Sequence, residues 1–111
     1  MRSVDKRMVK RAAEEFVKKE IEKHGTWTNF ITYVKEKAKT LNVSVEELMG
    51  AKLEYFLNEI AKTKIEIYCS CASVFLSTTD LVLYIEDKIY FVRITEQFGS
   101  LYIKVGRVVF D

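Results

Sequence analysis

The chain has 111 residues, of which 49% are apolar, and a formal net charge of +2. This length and apolar content suit one compact domain, and the absence of proline with only four glycines argues against a flexible linker between modules. The longest purely apolar run, at residues 81–85, is too short to cross a bilayer, so we expect a single cytoplasmic domain with no membrane attachment.

Lysine and glutamate are abundant, whereas glutamine occurs once, as Gln97. This bias is typical of proteins from very hot environments. The composition therefore predicts an origin in a thermophilic archaeon or one of its viruses.

The first predicted element is an amphipathic helix from about Val4 to Lys23, with His24 and Gly25 at its expected end. Basic residues crowd its first turns, although the helix dipole favours anions there. We predict that these residues serve a partner, and a solvated basic end is the alternative. They are Lys6, Arg7, Lys10 and Arg11, together with Arg2.

Two further helices are predicted before the sheet. One runs from Trp27 to Lys39, with Thr26 or Thr28 as its cap and Trp27 as a packing anchor. The next begins at Val45, because Ser44 and Glu47 have the spacing of a capping box. Its apolar residues cover more than one side, so the other helices and a sheet should pack around it.

The junction of these two helices resembles a helix-turn-helix segment, which would place the start of the third helix in the major groove of DNA. That start carries Glu46 and Glu47, which DNA phosphates repel. An ordinary helix pair is therefore the favoured interpretation. The resemblance rests on Ala38, Leu41, Asn42, Val43, Leu48 and Ala51.

From Lys64 onwards the apolar residues alternate, which predicts strands. In the first strand Cys69 and Cys71 are predicted on one side as small core residues. Two thiols and the distant His24 fall short of the four ligands of a zinc site, and only a dimer that pooled two such cysteine pairs could complete a four-thiolate site. We therefore predict no metal site and no cofactor.

Two strands, Leu81 to Glu86 and Ile89 to Thr95, flank Asp87 and Lys88, which are predicted to form a two-residue hairpin turn. This register places Leu81 opposite Ile94 on the core face. A loop at 97–100 leads to a last strand that ends at 108–110 and contains a bulge at Gly106. The sequence therefore predicts an α+β fold, with three N-terminal helices (1–63) followed by a four- or five-stranded antiparallel meander (64–111).

On the outer face of this sheet the predicted register sets Arg93 opposite Lys104 and Tyr84 opposite Phe91, with Tyr102 at the end. Like charges in that position destabilise a sheet unless an anionic group lies between them. Interleaved aromatic and basic side chains on an open sheet also bind single-stranded nucleic acid. Alternatively, the first helix or a second copy of the chain covers this face.

The segment TTDLVLYIEDKIYFVRIT resembles the core of PD-(D/E)XK nucleases, in which an aspartate opens one strand and Glu-x-Lys closes its hairpin partner. Asp80 matches the aspartate. The second motif falls on residues 93–95, which lack both the carboxylate and the lysine, while Glu86 and Lys88 lie in the turn. The resemblance implies at most a degenerate nuclease-like domain, so we expect no enzymatic activity.

Charge is distributed unevenly, since residues 1–24 carry eight basic and five acidic groups and residues 65–111 carry four and six. The first helix is thus the predicted electrostatic footprint. The sequence predicts a small nucleic-acid-binding or regulatory protein with DNA or RNA as its partner. The alternative is a protein-interaction module that is not an enzyme and that forms a homodimer through the outer sheet face. The predicted nucleic-acid-binding residues are Lys6, Arg7, Lys10, Arg11, Tyr84, Phe91, Arg93, Tyr102 and Lys104.

Overall fold

The change from helical to alternating periodicity produces three helices followed by four strands. These are seen in a computed structural model, which describes residues 4–75 and 77–108. The elements are α1 (Lys6–His24), α2 (Trp27–Leu41), α3 (Val45–Ala61), β1 (Ile67–Phe75), β2 (Thr78–Ile85), β3 (Lys88–Gln97) and β4 (Ser100–Val108). This confirms the predicted α+β fold, and the predicted end of the last strand at 109–110 lies outside the described residues.

Side-chain caps set the helix starts. Ser44 Oγ accepts a hydrogen bond from the amide of Glu47 at 3.1 Å, and Thr26 Oγ1 accepts one from Asn29 at 3.1 Å, which confirms both predicted caps. Helix α1 begins at Lys6 rather than Val4, because Asp5 is its cap.

The helix ends also follow from backbone geometry. Gly25 has φ of 91° and its amide donates to the carbonyl of Ile21, as the predicted end of α1 requires. Asn42 ends α2 in the left-handed conformation. A tight connection thus joins α2 to α3, with Leu41 and Val43 exposed at its turn.

All three helices lie on one side of the sheet. Helix α1 contacts both other helices and strands β3 and β4, while α3 contacts β1. Packing against the covered face stabilises the fold by about 25 cal/mol for each Å² of apolar surface that it removes from water. The largest fully buried side chains of this core are Phe16, Trp27, Phe30, Met49, Leu53, Leu57, Leu81, Leu83, Ile85, Tyr90 and Ile94.

The sheet is an antiparallel meander in the order β1-β2-β3-β4. The predicted faces of β2, β3 and β4 are confirmed, but the register between β2 and β3 is shifted by two residues. Leu81 lies opposite Val92 instead of Ile94, and the turn consists of residues 86 and 87. Glu86 takes the positive φ of 61° that this turn needs.

Two local predictions about the edge strands are wrong. A bulge in β1 separates Cys69 from Cys71, so Cys69 faces the helices and Cys71 faces away from them. Gly106 lies in a regular ladder opposite Phe91 and forms no bulge. The predicted loop at 97–100 is a two-residue turn with positive φ at both Phe98 and Gly99.

Within the described ranges, no helix is long and apolar enough to cross a membrane.

Candidate functional site on the open face of the sheet

No described residue covers the face of the sheet that points away from the helices. We call this face the open face. Its residues form four rows that cross the strands from β1 to β4. They are the charged row (Ser73, Asp80, Arg93, Lys104), the Phe91 row (Cys71, Val82, Phe91, Gly106), the Tyr84 row (Tyr68, Tyr84, Ile89, Val108) and the Phe75 row (Phe75, Thr78, Thr95, Tyr102).

Five aromatic side chains of the open face are exposed to solvent. A solvated face of an antiparallel sheet is usually polar, and exposed apolar surface on this scale usually marks a binding site. The sequence predicted three of the five, since Tyr68 and Phe75 were not identified. The exposed fractions are 64% for Tyr68, 70% for Phe75, 44% for Tyr84, 48% for Phe91 and 58% for Tyr102.

The charged row contains an ion pair. Arg93 lies opposite Lys104, as predicted, but its Nε and Nη2 donate to the two carboxylate oxygens of Asp80 at 2.7 and 3.1 Å. This hydrogen bonding raises the pKa of Arg93 above its ordinary value. Because Asp80 supplies the anionic group, the contact between Arg93 and Lys104 needs no external anion.

The shifted register also separates one predicted pair. Tyr84 lies opposite Ile89, and Phe91 lies opposite Val82, so the expected pairing of Tyr84 with Phe91 is wrong. The two rings belong to neighbouring rows of the same face. They still contribute to one continuous apolar surface.

A shallow depression of about 310 Å³ lies beside Phe91. It exists because Gly106, directly opposite Phe91, has no side chain, and a Cβ at position 106 would meet nothing within 4 Å. Arg93 and Lys104 line one side of the depression. A glycine inside a strand weakens it and often marks a place of close approach by another group.

The basic residues of α1 lie apart from the open face, because α1 packs against the covered side of the sheet. The four predicted residues, Lys6, Arg7, Lys10 and Arg11, are exposed, and none of them has a carboxylate within 4 Å among residues 4–75 and 77–108. The nearest acidic residue in sequence, Asp5, is engaged as the helix cap. Of these four, Lys10 lines a groove of about 550 Å³ at the sheet edge together with Tyr102 of β4, and Lys18, Glu14 and Glu22 line the same groove.

The two thiols have different environments. Cys69 is half-buried, and its burial raises the pKa of its thiol to about 11, with a smaller contribution from Glu46. Cys71 is exposed in the Phe91 row. In the part of the chain that the structure describes, no three His, Cys, Asp or Glu side chains are grouped closely enough to hold a metal ion.

Alternation alone could have placed Asp80 on the open face, because Asp80, Val82 and Tyr84 are separated by two residues each. It could not have placed Phe75 on the same face as Tyr68, since the bulge at Ser70 changes the face of every residue after it. A bulge leaves no clear signal in the pattern of this strand.

Comparison with protein-family profiles, curated proteins and solved structures finds no match to this chain.

Proposed function

We propose that the protein is a protein-interaction module that works as a homodimer, with the open face as the contact between the two copies. The observation that carries the proposal is the exposure of five aromatic side chains on one uncovered sheet face. Covering them with the same surface of a second copy would form a four-layer arrangement, helices outside and two sheets inside. Face-to-face packing of two sheets is a common way to bury such side chains.

The size of the open face suits this proposal. Four strands about 4.8 Å apart and about eight residues long span roughly 19 by 26 Å, or about 500 Å² in projection. Side chains that stand out of the plane add to this area. The area that complete coverage of the open face would bury therefore approaches 800 Å², which is about what each partner buries in a standard interface.

The charges of the open face also favour a protein partner. The pair of Asp80 and Arg93 is internally neutral, so burying it is less unfavourable than burying an isolated charge. Lys104 lies on the edge strand β4, where its ammonium group stays in water at the rim. The described face thus carries one net positive charge, which is little for a surface that binds a polyanion.

The test is the oligomeric state, measured by sedimentation equilibrium from about 1 to 100 μM, where a modest interface is populated. We expect a dimer for the unchanged protein and a folded monomer for Phe91→Glu. The matched control is Tyr55→Glu, which introduces the same charge at an exposed aromatic residue of α3 and should remain dimeric. A monomeric unchanged protein throughout this range would rule the proposal out.

A second candidate function is nucleic-acid binding, and the basic start of α1 favours it. Four exposed cations within two turns place like charges close together, which is unfavourable unless an anion binds them. Lys10 connects this cluster with Tyr102 at the sheet edge. A single strand following that edge would meet cations on α1 and then the ring of Tyr102.

Filter binding at several salt concentrations tests this second function. Replacing Lys6, Arg7, Lys10 and Arg11 by glutamine should weaken binding of single-stranded DNA or RNA. It should also reduce the salt slope by about 3 if all four contact phosphates. Glutamine at three exposed lysines of α2 (Lys35, Lys37 and Lys39) is the control. If the unchanged protein binds neither DNA nor RNA at low salt, this function is excluded.

A further inference from the structure

We infer that the two copies are related by a two-fold axis that lies between the two facing sheets, over the gap between β2 and β3 and parallel to the strands. The pair of Asp80 and Arg93 determines this arrangement. The inference rests on the proposed homodimer. It specifies which residues of the second copy the open face recognises.

The axis follows from the cross-strand rows. A two-fold rotation about it exchanges β2 with β3 and β1 with β4, so each residue faces the residue that lies in its own row on the exchanged strand. Asp80 then faces Arg93 of the second copy, and Arg93 faces Asp80 of the second copy. Four alternating charges meet at the interface instead of two separate ion pairs.

The other rows fit the same rotation. Phe91 faces Val82 of the second copy, and Cys71 faces Gly106 of the second copy, so the exposed thiol meets the shallow depression. Phe75 faces Tyr102 of the second copy at the end of the sheets. Aligned sheets cross at about −30°. This crossing angle displaces the two inner rows, the charged row and the Phe91 row, least from their facing rows.

Other axes are electrostatically unfavourable. An axis along the charged row would set Arg93 against Arg93 of the second copy and Asp80 against Asp80. An axis between β3 and β4 would set Arg93 against Lys104 of the second copy and would leave both β1 and β2 without a facing strand. Opposed like charges at an interface exclude such arrangements, whereas alternating charges favour the axis between β2 and β3.

Two charge-reversal variants test the axis. In Asp80→Arg both positions are positive, and in Arg93→Asp both are negative, so each variant alone brings four like charges together. We expect the dimer dissociation constant of each to rise by about tenfold or more. An equimolar mixture should form a heterodimer, because every charge then faces an opposite one. Native mass spectrometry distinguishes the heterodimer by its mass.

The double variant with Asp80→Arg and Arg93→Asp is the matched control, since it preserves the ion pair within the chain and across the axis. It should dimerise like the unchanged protein. Both positions are exposed on the sheet surface, and circular dichroism verifies that each variant is folded.

The outcomes separate the axis from the proposed function. If the variants stay monomeric when mixed, or if each dimerises alone, the axis is wrong, and this holds even if Phe91→Glu abolishes the dimer. If the unchanged protein is monomeric, the axis and the homodimer are both wrong. Heterodimer formation on mixing, with neither variant dimerising alone, supports the axis.

Discussion

Gly50 of α3 lies directly against Cys69 of β1, and a Cβ at position 50 would lie 3.3 Å from the Cβ of Cys69. Glycine in a helix interior is about 1 kcal/mol less favourable than alanine. The close approach explains its presence in the middle of α3. This contact sets the distance between α3 and the sheet beside the bulge in β1.

Replacing Gly50 by leucine should lower the free energy of unfolding by about 1–3 kcal/mol, because the larger side chain forces α3 away from β1. Leucine is a good helix former, so helix propensity acts in the opposite direction. Urea denaturation followed by circular dichroism measures the change. Ala51→Leu, at the next and exposed position of α3, is the control and should have little effect. Equal stabilities of the two variants would contradict the packing argument.

The two thiols should react with maleimide at different rates. Burial raises the thiol pKa of Cys69 to about 11 in the unchanged protein, and this burial remains with Cys71→Ser, so at pH 8 only a small fraction of the thiol is ionised. Its labelling should accelerate about tenfold for each pH unit between about pH 6 and pH 8, because only the thiolate reacts. Rapid labelling of folded Cys71→Ser protein at pH 8 would contradict this assignment.

With Cys69→Ser the remaining Cys71 reports on the open face. Under the proposed homodimer it should be labelled rapidly at low protein concentration and more slowly at high concentration, because the second copy would cover it. The same variant in urea is the control, since its labelling should not depend on protein concentration. Labelling that is equally fast at all concentrations in the folded state would indicate that Cys71 stays uncovered.

Glu20 holds a polar cluster inside the helical layer. Its carboxylate is buried and lies 3.3 Å from Lys52 Nζ and 3.5 Å from His24 Nε2. Glu20→Ala should lower the free energy of unfolding by about 1–3 kcal/mol, because Lys52 and His24 lose their partner in a partly buried site. Thermal denaturation checks this. Glu14→Ala, on the exposed side of α1, should change little, and an equal loss there would contradict the prediction.

Ser44→Ala should destabilise the protein by about 1 kcal/mol, since the amide of Glu47 loses the hydroxyl that caps α3. Thr40→Ala is the comparison: the hydroxyl of Thr40 donates only to the carbonyl of Glu36 within α2, an arrangement that adds little to helix stability. Chemical denaturation of both variants under the same conditions measures the difference. A smaller loss for Ser44→Ala than for Thr40→Ala would show that the cap is unimportant.

The sequence by itself determined the three helices, the alternation of the strands and the faces to which most sheet residues belong. These features depend on local periodicity and on local helix signals, such as the capping hydroxyl of Ser44 and the positive φ of Gly25. Arg93 was correctly placed opposite Lys104 because the short β3–β4 connection leaves little freedom in register.

Only the tertiary structure decided which residues meet on the open face. A register shift of two residues between β2 and β3 keeps every side chain on its face, so alternation cannot detect it, yet it brings Asp80 opposite Arg93. The bulge at Ser70 likewise moves Cys71 and Phe75 to the open face. Packing of all three helices on one side then leaves that face uncovered, because helix–sheet contacts are set by the whole core and not by any local pattern.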